Sequence, residues 1–512
     1  MALSGMGLLY VFNVVAFTPA FYPDANPLVG GFIGLALVLP IAAMYALFSI
    51  AMPRTGGDYV WTSRILSSGT GFVVNFSLTL LALSVIGAVA PWISQWSFAE
   101  AFYDLGLLWH NASYISTATY LQGQTPTFVI SAVFVILTGA VVVASTKLAG
   151  AIVKYWTFIA VIIGVIFMAT VLIAGNSTFQ TNFNATYGAN GTTYNGIIAA
   201  GQNQTGSFNG VPPVFSNASL YAGALGLLGF LGFYYPAYFA GETKHNRRSQ
   251  ILAQVGGSVI FAVFTTAIIA VEYFGEGPAF VNAMAGLWVT GSSSFPYIQI
   301  PLSSGLSMFW TRNAALVTLF NLSFGMTAIV MFVSMLFTLS RNIFAWSFDR
   351  IIPSSFASVN TRTRTPVNAI VLMIIASLIY LYIGIYTYNT LGLLFTYGTA
   401  GTFLAFLIVA FAAIVYPYRR KDLFEAADPT ARRKIGGIPV MVIYGVLSVA
   451  VSIVTVYAIV KPVIGGASFG SVFLEGILPT FIIGVVIYLV AYGVRRSQGI
   501  DLSVISREIP PE

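Results

Sequence analysis

The stretch Leu220–Ser249, LYAGALGLLGFLGFYYPAYFAGETKHNRRS, carries the residue types best suited to binding chemistry in this chain. Gly226, Gly229 and Gly232 are followed by Phe233, Tyr234, Tyr235 and Pro236. A glycine inside a helix costs about 1 kcal/mol and an interior proline about 3, so an apolar span holding both is a poor continuous helix. Broken backbone within a bilayer is tolerated only where it is buried in protein or lines a cavity. The N–H and C=O groups freed at such a break can hold a small ligand near the midplane. The stretch therefore reads as one wall of a substrate site in a membrane transporter. A fainter echo lies near the start, where Phe17-Thr18-Pro19-Ala20-Phe21-Tyr22 parallels Tyr234-Tyr235-Pro236-Ala237-Tyr238-Phe239. Two interrupted spans at corresponding places are the sequence pointer to such a site.

The elements that must hold this wall are membrane spans. The chain has 512 residues, 57% hydrophobic and only 7% charged, against about 25% charged in soluble domains. About twelve apolar runs reach bilayer length, at 4–22, 29–52, 69–98, 126–146, 150–174, 219–241, 249–273, 313–340, 366–386, 391–416, 437–460 and 475–494. With the N-terminus inside, 20 of the 22 Lys and Arg residues fall in cytoplasmic segments, leaving only Arg312 and Lys461 outside. That asymmetry accounts for the net charge of +7 without nucleic acid. It also predicts a multi-pass cell-membrane protein with both termini cytoplasmic. Cysteine is absent, which excludes disulfides, thiolate chemistry and Cys-ligated metal. The only histidines, His110 and His245, fall in predicted loops, so no intramembrane histidine relay is expected. The first residues lack a basic n-region, so no cleaved signal peptide is expected. No basic tail precedes the first span; either that tail is very short or the true start lies upstream.

The sequons agree with this orientation. Asn111, Asn176, Asn184, Asn190, Asn203 and Asn217 all lie in segments predicted to be external and read as glycosylation sites. Asn75 and Asn321 also head sequons but lie inside spans. The segment 175–218 reads as a polar extracellular loop. Between Gly275 and Thr311, the apolar piece PAFVNAMAGLWV is too short to span and suits a short helix over the outer mouth. The loop 417–436 is the main basic internal connection, as ordinary positive-inside topology requires.

Three stretches add a family resemblance: Pro53-Arg54-Thr55-Gly56-Gly57-Asp58-Tyr59, Gly241-Glu242-Thr243-Lys244-His245-Asn246-Arg247-Arg248, and Ser340-Arg341-Asn342-Ile343-Phe344-Ala345. They resemble the P-x-x-G-G-x-Y, G-E-T-K-x-P-x-R and S-R-x-x-x-A patterns of amino acid permeases in the amino acid/polyamine/organocation superfamily, over nearly the whole chain. Asn246 departs from the family's frequent proline. The resemblance implies an all-α membrane protein of the leucine-transporter type. It has two inverted five-span repeats (1–174 and 219–416) and two further helices (437–494) before a cytoplasmic tail (495–512). The family's G-x-G of the first span is read as missing; spacing counted back from Gly56 puts its place around Asn13. The substrate site implied is Asn13, Val14 and Ala16, mostly through backbone, with Gly229, Phe230 and Gly232. Phe233 or Tyr234 would cover or select the side chain. A coupling site implied by the resemblance would draw on Thr327, then Ser323 and Ser334. Lys154 lies near the place of a lysine that substitutes for sodium in some relatives, although that place falls nearer Ala160.

No Asp or Glu falls in the middle of a predicted span; Glu100, Asp104, Glu272 and Glu475 lie near outer ends. A buried cationic group without a carboxylate is costly, so neutral, apolar or aromatic amino acids are expected in preference to arginine or polyamines. The expectation is an amino acid transporter and not an enzyme. It takes no cofactor beyond H⁺ or Na⁺ as coupling ion, and no metal site; its partners are the solute and the lipid bilayer, with no nucleic acid. The rival readings are a carrier of another small solute, such as an amine or nucleobase-like compound, and an amino acid sensor that does not transport.

Overall fold

The computed structural model describes residues 1–207, 209–363, 365–387, 391–460 and 472–502. Arg364, Lys461 and Arg507 of the charge pattern lie outside them. The described chain is all helix apart from a two-residue ladder, Lys434–Ile435 against Ile438–Pro439. Ten described helices are long and apolar enough to cross a membrane, or eleven if the bent first span is included.

Side-chain caps mark several starts. Ser67 precedes the third span (Ser68–Leu108), Ser145 the fifth (Thr146–Tyr187) and Asn313 the eighth (Ala314–Phe348). Each accepts from backbone N–H groups left over at a helix start. The third and eighth spans are the most buried, whereas the fifth and twelfth turn most of their surface outward. The third runs well past its expected end, through a π turn at Ser94–Phe98, into a helix ending at Leu108.

The sixth predicted span is not one continuous helix. Its helix, Asn217–Gly229, is followed by 3-10 turns at Tyr235–Tyr238 and Ala240–Glu242. Gly232, at φ 112°, turns the chain where a side chain would strain it. The first span is also broken: Ala2–Met6, then a 3-10 stretch Leu8–Asn13, then Val14–Phe21, with its halves bent by 70°.

The segment 175–218, expected to be a polar loop, is largely helical among its described residues. The fifth helix continues past a kink at Gly175 to Tyr187, and a second helix covers Tyr194–Thr205. Phe179, Phe183 and Tyr187 recur one helical turn apart and are buried. They pack with Tyr194, Phe280 and Phe309, the Tyr194 and Phe280 rings stacking at 4.6 Å. The short helix expected between Gly275 and Thr311 is Pro278–Val289, and its Trp288 rests on Phe17 and Phe21.

Candidate substrate site and its closures

The two broken spans cross backbone to backbone. A Cβ placed on Gly232 would stand 2.6 Å from the Gly5 carbonyl oxygen and 2.7 Å from the Met6 nitrogen. The first span breaks at Gly7, whose φ of 68° is left-handed. The G-x-G read as missing is therefore present as Gly5-Met6-Gly7. Spacing counted back through a whole helix and its connection drifted from Gly7 to Asn13.

Around the crossing lies a cavity of about 40 Å³, lined by Gly5, Met6, Tyr10, Ala82, Val85, Val89, Gly229, Leu231, Tyr234, Tyr235, Met331, Met335 and Thr402. Among the described residues, no charged side chain lines it. A water needs at least about 10–15 Å³ of such space, and small-molecule pockets run to roughly 300–1,000 Å³. The cavity therefore has room for a few waters and is well below the size of a small-molecule pocket.

Of the residues expected there, Gly229 and Tyr234 line the cavity, and Gly232 makes the crossing. Val14 and Phe230 line a neighbouring gap of about 10 Å³ with Gly229. Ala16 is buried elsewhere on the first span, and Phe233 packs on Tyr45 and Phe406. Asn13 ends the 3-10 stretch, and its side chain lies outside the described residues. Sequence reasoning missed Gly5, Met6, Tyr10, Tyr235, Met331, Met335 and Thr402, and the apolar side chains of Ala82, Val85, Val89 and Leu231. Only the glycine pair carried a signal that could have found them.

Among the coupling candidates, Thr327 abuts the break: its methyl lies 3.4 Å from the position of a Cβ on Gly7. Its hydroxyl donates to the Ser323 carbonyl at 2.9 Å, and Ser323 donates to Phe320 at 2.7 Å. Ser334 is buried, with no hydrogen-bond partner among the described residues. Lys154 is exposed, its ammonium 5.4 Å from the Tyr155 ring. The fifth span instead meets the first through Ser4, which donates to the Val153 carbonyl at 2.9 Å and lies 2.5 Å from the Thr157 hydroxyl.

The three motif stretches converge at the basic end. Thr55 bridges Phe239 in antiparallel fashion. Asp58 accepts from Tyr45 at 3.0 Å, Tyr238 at 3.0 Å and Asn75 at 2.6 Å, and the Asn75 oxygen accepts from the Trp346 indole at 2.8 Å. Arg64 grips Asp349 with two bonds, 2.7 and 3.0 Å, while Tyr59 donates to the same carboxylate at 2.6 Å. Burial of Arg64 works against its charge, and Asp349 outweighs it, holding the guanidinium pKa above its usual range. Arg341 reaches Glu242 at 3.4 Å and lies over the rings of Phe239 and Phe337, 4.6 and 4.2 Å from their centres. Outside this closure a cavity of about 330 Å³ is lined by residues including Arg54, Arg64, Glu242, Phe348 and Asp349.

At the sequon-bearing end the closure is aromatic. Tyr10, Trp92, Trp96 and Phe324 stack in a run, with Trp92 and Trp96 at 4.6 Å, and Phe17 and Trp288 continue it. Asp104, beside it, accepts from Tyr297 and Asn321. Glu100 is fully buried, with neither oxygen hydrogen-bonded among the described residues. Of the sequon asparagines, Asn184, Asn203 and Asn217 are exposed, Asn111 caps a helix, and Asn190 has a side chain outside the described residues. The Asn176 amide is committed to the Gly275 and Glu276 carbonyls.

Compared with known proteins, residues 2–491 match the model of the family described as amino acid permease. No curated protein matches the chain.

Proposed function

The chain belongs to the amino acid permease family, and on that premise we propose that it is a secondary active transporter of neutral amino acids with apolar or aromatic side chains. It works by alternating access, either coupled to H⁺ or Na⁺ or by exchange. Two inverted five-span repeats and two further helices build it in the cell membrane, with both termini cytoplasmic and exposed outer sequons available for glycans.

One observation carries this reading: the crossing of two broken spans beside a closed cavity without a charged side chain. A zwitterion brings its own two charges. Helix N-terminal N–H groups suit the carboxylate and unwound carbonyls suit the ammonium. A second positive charge, as on arginine or a polyamine, would find no carboxylate among the cavity-lining residues.

The test is counterflow in proteoliposomes loaded with single unlabelled amino acids. Saturable entry of labelled neutral amino acids, with no competition from arginine or polyamines, is expected. Strong competition by either would overturn the substrate class. Absence of counterflow with every amino acid, in folded protein, would favour another small organic solute or a sensor.

A further inference from the structure

Asp58 stands apart from the other acidic groups of the basic-end closure. Asp349 and Glu242 each face a guanidinium. Asp58 is fully buried and is held by three neutral donors from three different spans: Tyr45 of the second, Asn75 of the third and Tyr238 just past the break of the sixth. Tyr234, which lines the central cavity, packs its ring 6.0 Å from Tyr45 and 5.9 Å from Tyr238. The carboxyl is therefore one layer of tyrosines away from the substrate site.

Among the described residues, the side chains that hydrogen-bond Asp58 are neutral. On its own helix, Arg64 is committed to Asp349. The eighth span contributes Trp346 through Asn75, while its Arg341 faces Glu242 and its Asp349 faces Arg64 and Tyr59. The tenth contributes Phe406, packed on Tyr45. The ionisable groups that face Asp58 directly are the phenols of Tyr45 and Tyr238, with Tyr234 behind them.

We propose that Asp58 carries the coupling proton of transport, binding it when the basic end is closed and releasing it to the cytoplasm when that end opens. This rests on the carrier reading and chooses H⁺ between the two coupling ions. The step is a simple protonation. Carboxylate plus a proton from water on the acidic side gives the neutral acid; opening returns the proton to water on the other side. One proton crosses per solute.

The physical chemistry has a definite sign. Burial pushes Asp58 up to about 6, against the hydrogen bonds from Tyr238, Tyr45, Asn75 and the Tyr59 backbone that favour the charged form. Opening to water would return it toward the ordinary value of about 3.9. Closure then takes up a proton. Its extra stability is fully present below the ordinary carboxyl value and is lost as pH rises through about 6. An asparagine imitates the protonated, loaded form, which can exchange solute but has no proton to release.

The experiment compares the full-length protein with Asp58→Asn and Tyr238→Phe in proteoliposomes, measuring counterflow at equal pH and accumulation driven by an acid-outside gradient. Asp58→Asn is expected to lose gradient-driven accumulation at least tenfold more than it loses counterflow. Tyr238→Phe removes a donor to the charged form, so its accumulation should persist with the pH midpoint shifted upward. Gradient-driven accumulation surviving in Asp58→Asn would overturn the proposal. So would equal loss of counterflow and accumulation in folded Asp58→Asn together with an unmoved midpoint in Tyr238→Phe. If Asp58→Asn does not fold, the Tyr238→Phe midpoint alone decides. Parent protein that shows counterflow but no response to a pH gradient would refute the role of Asp58 and leave the carrier reading standing. Parent protein without counterflow would refute the carrier reading first.

Discussion

The two ends of the central cavity are closed by different physics. At the basic end the closure is polar: a buried two-bond ion pair, a stacked guanidinium and a carboxyl among three donors. At the other end it is a run of stacked rings from Tyr10 to Phe324, extended by Phe17 and Trp288. Polar closures are directional and sensitive to charge, and an unpaired member is penalised heavily. Aromatic closures depend on area and shape and are nearly indifferent to pH. A molecule built this way has one end held mainly by ion pairing and hydrogen bonds to carboxylates, and one held mainly by ring packing, with the buried carboxyls of Glu100 and Asp104 beside it.

The most damaging change should be where the two halves meet. Gly232→Leu puts a side chain against the Gly5 backbone and demands a left-handed conformation from a residue that resists it. Uptake should fall to background while a monodisperse protein is still recovered. Near-normal uptake would remove the crossing from the site and with it the basis for comparing the two closures.

Next comes the ion pair. Asp349→Ala leaves Arg64 buried without its carboxylate, a loss of about 3–5 kcal/mol in the closed arrangement. Because the chain has no cysteine, a single cysteine at Thr55 can report access from the basic end. Its labelling should rise sharply in the Asp349→Ala background. Unchanged labelling would mean that the pair does not hold this end shut.

The aromatic end should respond more gently. Trp96→Leu keeps an apolar side chain but loses stacking on Trp92, worth about 1 kcal/mol. Transport should weaken by a few-fold, by the same factor at pH 5 and pH 8. A strongly pH-dependent defect would break the contrast between the two ends.

Much of this was legible in the sequence, for reasons that particular residues show. Run length located the ten described helices long and apolar enough to cross a membrane, since a bilayer sets their length whatever their partners. The three quoted motifs fell together at one end, as their shared basic character suggests. The sixth span's break was visible because Gly232 and Pro236 are local signals. The helices within 175–217 were not seen: Asn and Thr dominate the composition, and the Phe179, Phe183, Tyr187 stripe is only three residues long. Gly5-Met6-Gly7 was passed over because its place was sought by distance from Gly56 instead of by its own type. Asp58 stood inside a quoted motif, yet its partners lie 13, 17 and 180 residues away, and one sequence does not reveal that juxtaposition.

The smallest effect separates two forces acting on one residue of the polar closure. Arg341 has an ion-pair partner and two ring partners. Glu242 is about half exposed, with a side-chain exposure of 47%, and lies 3.4 Å away, so solvent screens that pair to well under about 1 kcal/mol. The rings of Phe239 and Phe337 stack 4.9 Å apart, and the buried guanidinium lies within 4.6 and 4.2 Å of their centres; such contacts reach about 0.5–1 kcal/mol or more when desolvated. Lysine keeps the charge but not the flat face. Arg341→Lys should therefore destabilise the protein more than Glu242→Gln does, by about 0.5–1 kcal/mol, read as the difference in thermal midpoint between the two variants. The reverse order would mean that the exposed carboxylate, and not the stacking, holds Arg341. The basic end would then owe even its apolar-looking contacts to charge, and its difference from the aromatic end would be sharper than the distances alone indicate.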